Sequence, residues 1–313
     1  MYLVKIIYVI YISLFAALYI FVKTNHFMKK AVCLLLIIIT ACSDFKKSYG
    51  KKTHVESALL KGNVKQIKHT YYKALNKFGE IIQGDMDTTK AVNLMVYNGE
   101  GNIIHAVEYD KEGNLSLIKK SKYGTNGNIL EWKGYLSDGS IKDSSIYEYN
   151  EEENIKALKS YLANGELNFK ESVTYDENGN QSEIFHCAYD SDLDNTFRVF
   201  NTFDNKGNVT KTIFTSLGLD TTARETRKYD ENSRLIEYTT YSPNDRVTSK
   251  TLYKYDENGN NCEVKSYGLD NELKNIYIYK YELDKKGNWI KQYTFHNDDP
   301  KTICVRKITY FED

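Results

Sequence analysis

A six-residue motif returns along this chain at nearly fixed intervals, and that period limits the possible folds more than any other feature. Tyr-Asp-Glu-Asn-Gly-Asn begins at Tyr175 and again at Tyr255. Variants begin at Tyr97, Tyr109, Tyr123, Tyr149, Phe203 and Tyr229, a diluted copy begins at Tyr281, and Tyr310 opens one more. From Tyr123 onward the steps are 26, 26, 28, 26, 26, 26 and 29 residues. A sustained period of this length marks an array in which each unit buries its apolar surface against its neighbours.

Each unit divides in two, because Tyr135, Tyr161, Tyr241, Tyr267 and Phe295 fall about midway between motifs. Half a unit is long enough for one strand and one turn. Tyr, Val, Ile, Thr and Lys fill these segments and alternate. Thr251, Tyr253 and Tyr255 share one face, while Leu252 and Lys254 share the other. Short connections make neighbouring strands antiparallel. The two prolines, Pro243 and Pro300, stand among turn residues, where no ladder bond is lost.

The motif itself suits a type I turn followed by a left-handed glycine in a G1 bulge, with Asp opening the turn. Glu153 and Ser233 occupy the glycine position in two copies, at an expected cost of about 1 kcal/mol each. The intervening turns vary, from Leu-Ser-Asp-Gly-Ser-Ile at 136–141 to His-Asn-Asp-Asp-Pro at 296–300. The expected fold is all-β: an elongated, twisted antiparallel β-meander built from two-strand repeats, in a single-layer or curled sheet. About 18 strands at ~4.8 Å each give an open sheet on the order of 80 Å long.

The N-terminal region differs in kind. Its first 41 residues carry Lys5, Lys23, Lys29 and Lys30 and no acidic side chain. From Met28 the order is a start residue, a basic pair, a short apolar core and small residues before Cys42, the order of a secretory signal peptide. Residues 28–41 are therefore read as a signal, 42–62 as a polar tether with a helical turn near His54, and 63–313 as the repeat array. Residues 1–27 precede a signal that is complete without them, which favours Met28 as the true start. The alternative is a transmembrane helix, for which about 20 apolar residues suffice.

Losing the leader leaves 38 basic and 42 acidic side chains, a net charge of about −4. That balance excludes the basic excess of a nucleic-acid binder. Cys187, Cys262 and Cys304 are widely spaced and odd in number, which excludes a disulfide framework or a C-x-x-C zinc site.

Two resemblances follow from these residues. Small residues directly before Cys42 resemble the lipobox of bacterial lipoproteins, which implies that the Cys42 thiol is lipidated and that acyl chains hold the protein on a membrane. Tyr-Asp-Glu-Asn-Gly-Asn and Tyr-Asp-Glu-Asn-Ser-Arg-Leu-Ile-Glu resemble the YD repeat of RHS-type proteins. The chain from Met28 is similar to repeat-bearing envelope lipoproteins of the Bacteroidetes. The likeness covers Tyr97 to the C-terminus and departs from the RHS pattern in having Asn rather than Arg after most glycines. It implies carbohydrate or surface binding, and Ser43 after Cys42 implies the outer membrane, facing the periplasm or the cell surface.

No motif in the array carries chemistry. Asp190, Asp192 and Asp194 alternate as calcium ligands do, but Asn195 stands where an EF-hand needs Gly and Asn201 where it needs a bidentate Glu. Glu131, Glu183, Glu237 and Glu263 share one phase but lie two strands apart, which suits a solvated ladder with Lys between. His186 and Cys187 are adjacent in a strand and point to opposite faces. No H-E-x-x-H, G-x-S-x-G or Walker sequence is present.

The sequence therefore predicts a non-catalytic envelope lipoprotein without cofactor or metal, a binding or scaffolding surface for glycan or protein. Repeat proteins vary where they bind. The candidate residues are Tyr189, Asp190, Asp192, Asp194, Asn195, Asp220, Asn244, Arg246, Asp270, Asn271, His296 and Asp298. The alternatives are a glycan-processing envelope enzyme and, by the RHS likeness, an immunity or anti-toxin protein.

Overall fold

A computed structural model describes residues 53–110, 112–189, 196–218 and 220–312. Cys42, the signal and the residues before it lie outside the described residues, as do Asp190, Asp192, Asp194 and Asn195. A single helical turn, α1 (His54–Ser57), opens the described chain. Thr53 caps it by accepting from the Glu56 amide while the Glu56 carboxylate accepts from the Thr53 amide.

Nineteen strands follow among the described residues. The first ten are β1 (Val64–Lys77), β2 (Glu80–Met86), β3 (Val92–Tyr97), β4 (Ile103–Tyr109), β5 (Leu115–Tyr123), β6 (Ile129–Leu136), β7 (Ile141–Tyr149), β8 (Ile155–Leu162), β9 (Leu167–Tyr175) and β10 (Gln181–Ala188). The rest are β11 (Phe197–Phe203), β12 (Val209–Ser216), β13 (Thr221–Tyr229), β14 (Leu235–Tyr241), β15 (Val247–Tyr255), β16 (Asn261–Tyr267), β17 (Leu273–Leu283), β18 (Trp289–His296) and β19 (Asp299–Tyr310). From β3 to β19 each strand pairs antiparallel with the next.

The sheet closes on itself, and this corrects the expected open or curled meander. β1 pairs with β19 from Val64↔Tyr310 to Lys73↔Thr302, and its other edge pairs with β3 from Gln66↔Val96 to His69↔Asn93. β2 pairs with β1 beyond β3 and stands outside the ring, so the barrel has 18 strands. Closure has a simple cause: an open sheet leaves two rows of unmade backbone hydrogen bonds, and joining its edges removes both. With strands tilted by ~40°, the ~80 Å expected as a length becomes a circumference of about 105 Å, for a diameter of roughly 33 Å between backbones if circular.

β2 and β3 are in effect one strand interrupted. Tyr72 opposes Met86 and His69 opposes Asn93, so six residues on one side face two on the other. The excess, 88–91, bulges out of the ladder after Asp87, whose amide still donates to Tyr71 O and whose carboxylate accepts from the Thr89 amide and hydroxyl. Beyond it the β1–β2 hairpin turns at Phe78 and Gly79, both at positive φ, the type I′ geometry.

The motif turns have the predicted form. Gly127, Gly179, Gly207 and Gly259 take φ of 73° to 79°, and Glu153 and Ser233 are forced to 61° and 59° in the same place. Seven of the motifs, at Tyr97, Tyr123, Tyr149, Tyr175, Phe203, Tyr229 and Tyr255, stand at one rim of the barrel, as does the diluted copy after Tyr281. The copy at Tyr109 closes β4 and so stands at the opposite rim.

Alternation then gives the wall two sides. Tyr253, Val264 and Tyr277 oppose one another across β15, β16 and β17, and the first two are buried. Their alternates Lys254, Glu263 and Lys265 carry ion pairs instead. Curvature crowds side chains on the concave side, so the buried set faces inward. The same division packs Tyr147, Leu158 and Phe169 farther round the ring.

Candidate binding rim

The two rims are built differently, and the difference begins with hydroxyl groups. At the motif rim six tyrosines donate to carbonyls that lie past the end of the neighbouring ladder, while the Tyr97 hydroxyl bonds Met95 Sδ instead. Tyr149 reaches Ile129 at 2.6 Å, whereas the β6–β7 ladder ends at Glu131↔Ile146. Tyr123, Tyr175, Tyr229, Tyr255 and Tyr281 bond Ile103, Ile155, Val209, Leu235 and Asn261 in the same way, at 2.7 to 2.9 Å. Phe203 lacks the hydroxyl, and the Asn201 amide donates to Gln181 O in its stead.

The Asp and Asn of the motif also bond each other. Asp176 Oδ1 accepts from the Asn180 amide at 2.8 Å, and its Oδ2 accepts from Asn180 Nδ2 at 2.9 Å. Asp204 with Asn208 and Asp256 with Asn260 repeat this clasp, and Arg234 Nε replaces the Asn side chain against Asp230. Both carboxylate oxygens are thus filled by N–H donors, which leaves them unsuited to a cation. Among the described residues no group of three or more His, Cys, Asp or Glu could hold a metal ion.

The opposite rim gathers the predicted variable turns. Those after β12, β14, β16 and β18 fall there, as does the end of β10. Several candidate residues turn out to shape these turns. Asp270, Asn271 and Asp298 adopt φ of 60°, 60° and 69°, and Asn244 accepts from the Ser242 hydroxyl. The Asp220 and Arg246 carbonyls close their turns by accepting from the Ser216 and Ser242 amides, and both residues are exposed. His296 is half-buried, bonded to Asn275 Oδ1 at 2.8 Å and stacked on Tyr277. Tyr189 is 59% exposed at the end of β10. Beside Asp298 an open hollow of about 220 Å³ is lined by Ile278, Lys280 and Phe295.

Diversity at this rim is less than the turn sequences suggest. Gly139, Gly165 and Asp245 take the same positive φ as the motif glycines. Sequence reasoning also missed what flanks them. Leu136, Ile141, Leu162, Leu217, Leu269 and Leu273 are each more than 40% exposed around this mouth. The signal was present in Leu-Ser-Asp-Gly-Ser-Ile and Leu-Ala-Asn-Gly-Glu-Leu, turns that begin and end on apolar residues.

Inside the wall, several buried polar residues are paired. His186 is fully buried, stacked on Phe197 and tilted against Phe169, each at 4.7 Å, with Nδ1 3.1 Å from Glu171 Oε1. Arg227 donates to Glu225 and Thr212. Arg306 lies 3.3 Å from the centre of the Trp289 ring and donates to His69. Burial, and then the Arg306 charge, lower the His69 pKa to about 3. Burial pushes the Cys304 thiol up to about 11, so it is protonated at neutral pH and a poor nucleophile. Cys187 and Cys262 are free as well. His186 faces inward and Cys187 is half-buried on the other side, the opposed faces that the sequence predicts.

The outer wall is charged. Glu237 pairs with Lys228 and Lys250, Glu131 with Lys133, and Glu183 with Arg198. Most strands hold seven to nine residues, which at a tilt of ~40° stand about 18–23 Å tall. A lipid-facing barrel needs an apolar band of ≈ 25 Å, and a Lys at its midplane costs ~2–4 kcal/mol. This wall has no height left for such a band. Among the described residues no helix is long and apolar enough to cross a membrane.

No protein-family model matches the chain, and no curated protein matches it. Solved structures do. A porin-like protein from Bacteroides uniformis has a TM-score of 0.39 at 8% identity, over 79% of this chain and 96% of that one. The Photorhabdus luminescens Tc holotoxin pore has a TM-score of 0.33 at 10% identity, over 72% of this chain and 15% of that one. An outer membrane lipoprotein-sorting protein domain from Vibrio parahaemolyticus has a TM-score of 0.21 at 13% identity, over 80% and 87%. All three TM-scores lie below 0.5, and the likeness assigns neither a fold family nor an activity.

Proposed function

We propose that this chain is a non-catalytic envelope lipoprotein, anchored through Cys42, whose barrel stands in water and offers its variable rim to a glycan or an envelope protein. The observation that carries this reading is the outer wall, where Glu237 is held between Lys228 and Lys250 at heights a bilayer would require to be apolar. A barrel that does not span needs another attachment, and the lipobox-like run before Cys42 supplies one. The paired inner His186 argues against catalysis, since a fully buried imidazole reaches no substrate.

The test separates anchor from wall. Residues 43–313, produced without detergent, are expected to be monodisperse and to stay off liposomes, while the full chain incorporates labelled palmitate only with Cys42 intact. Detergent-dependent solubility of the 43–313 protein refutes the water-standing barrel. Unchanged labelling of Cys42→Ser refutes the anchor. Binding at the rim is read by glycan and envelope-protein panels against a variant with Asn244, Arg246, Asp270 and Asn271 changed to Ser. If every interaction survives that change, the rim is not the site.

A further inference from the structure

The β1–β2 hairpin is not needed to close the barrel, yet it projects past it. Lys73↔Thr302 is the last pair of β1 with β19, and among the described residues β2 pairs with β1 alone. Phe78 at its tip is fully exposed, and Leu75 and Met86 are 42% and 47% exposed. A two-stranded ribbon of this kind is marginally stable by itself.

Its free edge has a definite register. In the two-residue turn the closing pair Lys77↔Glu80 exchanges both backbone bonds, and such pairs alternate along an antiparallel ladder. Ile81 and Gln83, opposite Asn76 and Ala74, therefore direct their amides and carbonyls away from β1. Leu75 packs within 3.0 Å of a Cβ built on Gly84, so Leu75, Ile82 and Gly84 share one face and form an apolar shelf beside that edge. The edge charges are of one sign: β2 carries Glu80 and Asp85 and no basic residue.

We propose that β2 is a strand-addition site for an extended polypeptide segment with Lys or Arg at positions facing Glu80 and Asp85. Backbone pairing to Ile81 and Gln83 gives the added strand its register, and charge selects it. A second copy of this edge is disfavoured, because antiparallel self-pairing brings four carboxylates onto one ribbon. The site is separate from the variable turns and stands whether or not they bind.

The probe is an acetylated nine-residue peptide of alternating Thr and Val with Lys second and seventh, the spacing of Asp85 and Glu80, compared by fluorescence anisotropy with its Glu counterpart. The Lys peptide is expected to bind the 43–313 barrel at least about tenfold more tightly. Glu80→Lys with Asp85→Lys should reverse the preference, and Gln83→Pro, which removes an outward amide, should weaken binding about tenfold. Because that proline could unfold the hairpin, a Lys peptide N-methylated on its edge-facing amides serves as a second measurement and should not bind. Equal affinity for the two peptides, or binding indifferent to N-methylation, overturns the proposal. So does a dimer in sedimentation that Glu80→Lys with Asp85→Lys alters, which would assign the edge to a second copy.

Discussion

Replacing Tyr255 by Phe tests whether the rim hydroxyls hold the barrel together. The change removes one oxygen, which donates to Leu235 O at 2.7 Å, and leaves the ring to pack against Leu235 and Tyr253. Leu235 is 1% exposed, so water cannot readily replace the lost donor. A hydrogen bond contributes about 1 kcal/mol net, and a buried acceptor left unsatisfied costs ~1–3 kcal/mol. An intermediate value of ~1.5 kcal/mol is expected. With unfolding entropy near 2.1 cal/mol/K per residue over roughly 250 residues, that lowers Tm by about 3 °C. Urea unfolding followed by far-UV circular dichroism supplies the free energy, and Tyr135→Phe at the other rim is the control, expected within ~0.5 kcal/mol of wild type. Removing all six hydroxyls at Tyr123, Tyr149, Tyr175, Tyr229, Tyr255 and Tyr281 should cost roughly 6–9 kcal/mol, comparable with a whole domain's stability. If Tyr255→Phe matches Tyr135→Phe, or the sixfold variant melts like wild type, the bonds do not contribute as argued.

Other consequences are as direct. Burial pushes the Tyr123 phenol up to about 12 and raises Tyr149, Tyr229 and Tyr281 as well. An unfolded phenol ionises near 10, so this stability should be complete below pH 10 and lost as pH rises toward 12, a slope that the sixfold Phe variant flattens in urea titrations. Glu153→Gly and Ser233→Gly relieve positive φ at 61° and 59° and should each stabilise by about 1 kcal/mol in the same assay. Asp256→Ala strips two bonds from Asn260 and should cost about 1–2 kcal/mol, with hydrogen exchange accelerating at that turn. Glu171→Ala leaves the buried His186 ring without its partner and should cost about 3 kcal/mol in urea unfolding.

Much of the local structure was legible because it is set by neighbours in sequence. The helical turn near His54, the left-handed glycines of the motif and the strained Glu153 all follow from residues within a few positions. The Asp–Asn clasp was harder to foresee. Asn180 was visible only as a departure from Arg, yet Asn180 Nδ2 and Arg234 Nε serve the same carboxylate position. The candidate rim was legible as a set of variable turns, but not as partly self-satisfied turns ringed by Leu136, Leu162 and Leu273.

The period by itself determined that strands alternate with turns, that neighbours run antiparallel and that one set of turns is built alike. These are properties of residues a dozen positions apart, bonded through short connections. Whether the sheet stays open or closes depends on β1 meeting β19, where Tyr71 lies opposite Cys304. No local pattern records that pairing, because every edge strand presents the same unmade backbone bonds whatever partner arrives. Only the summed twist and bulges of the intervening strands bring the two edges to the same place, and that sum exists only in three dimensions. The same closure decides which face of each strand becomes the buried interior and leaves β2 projecting with a free edge.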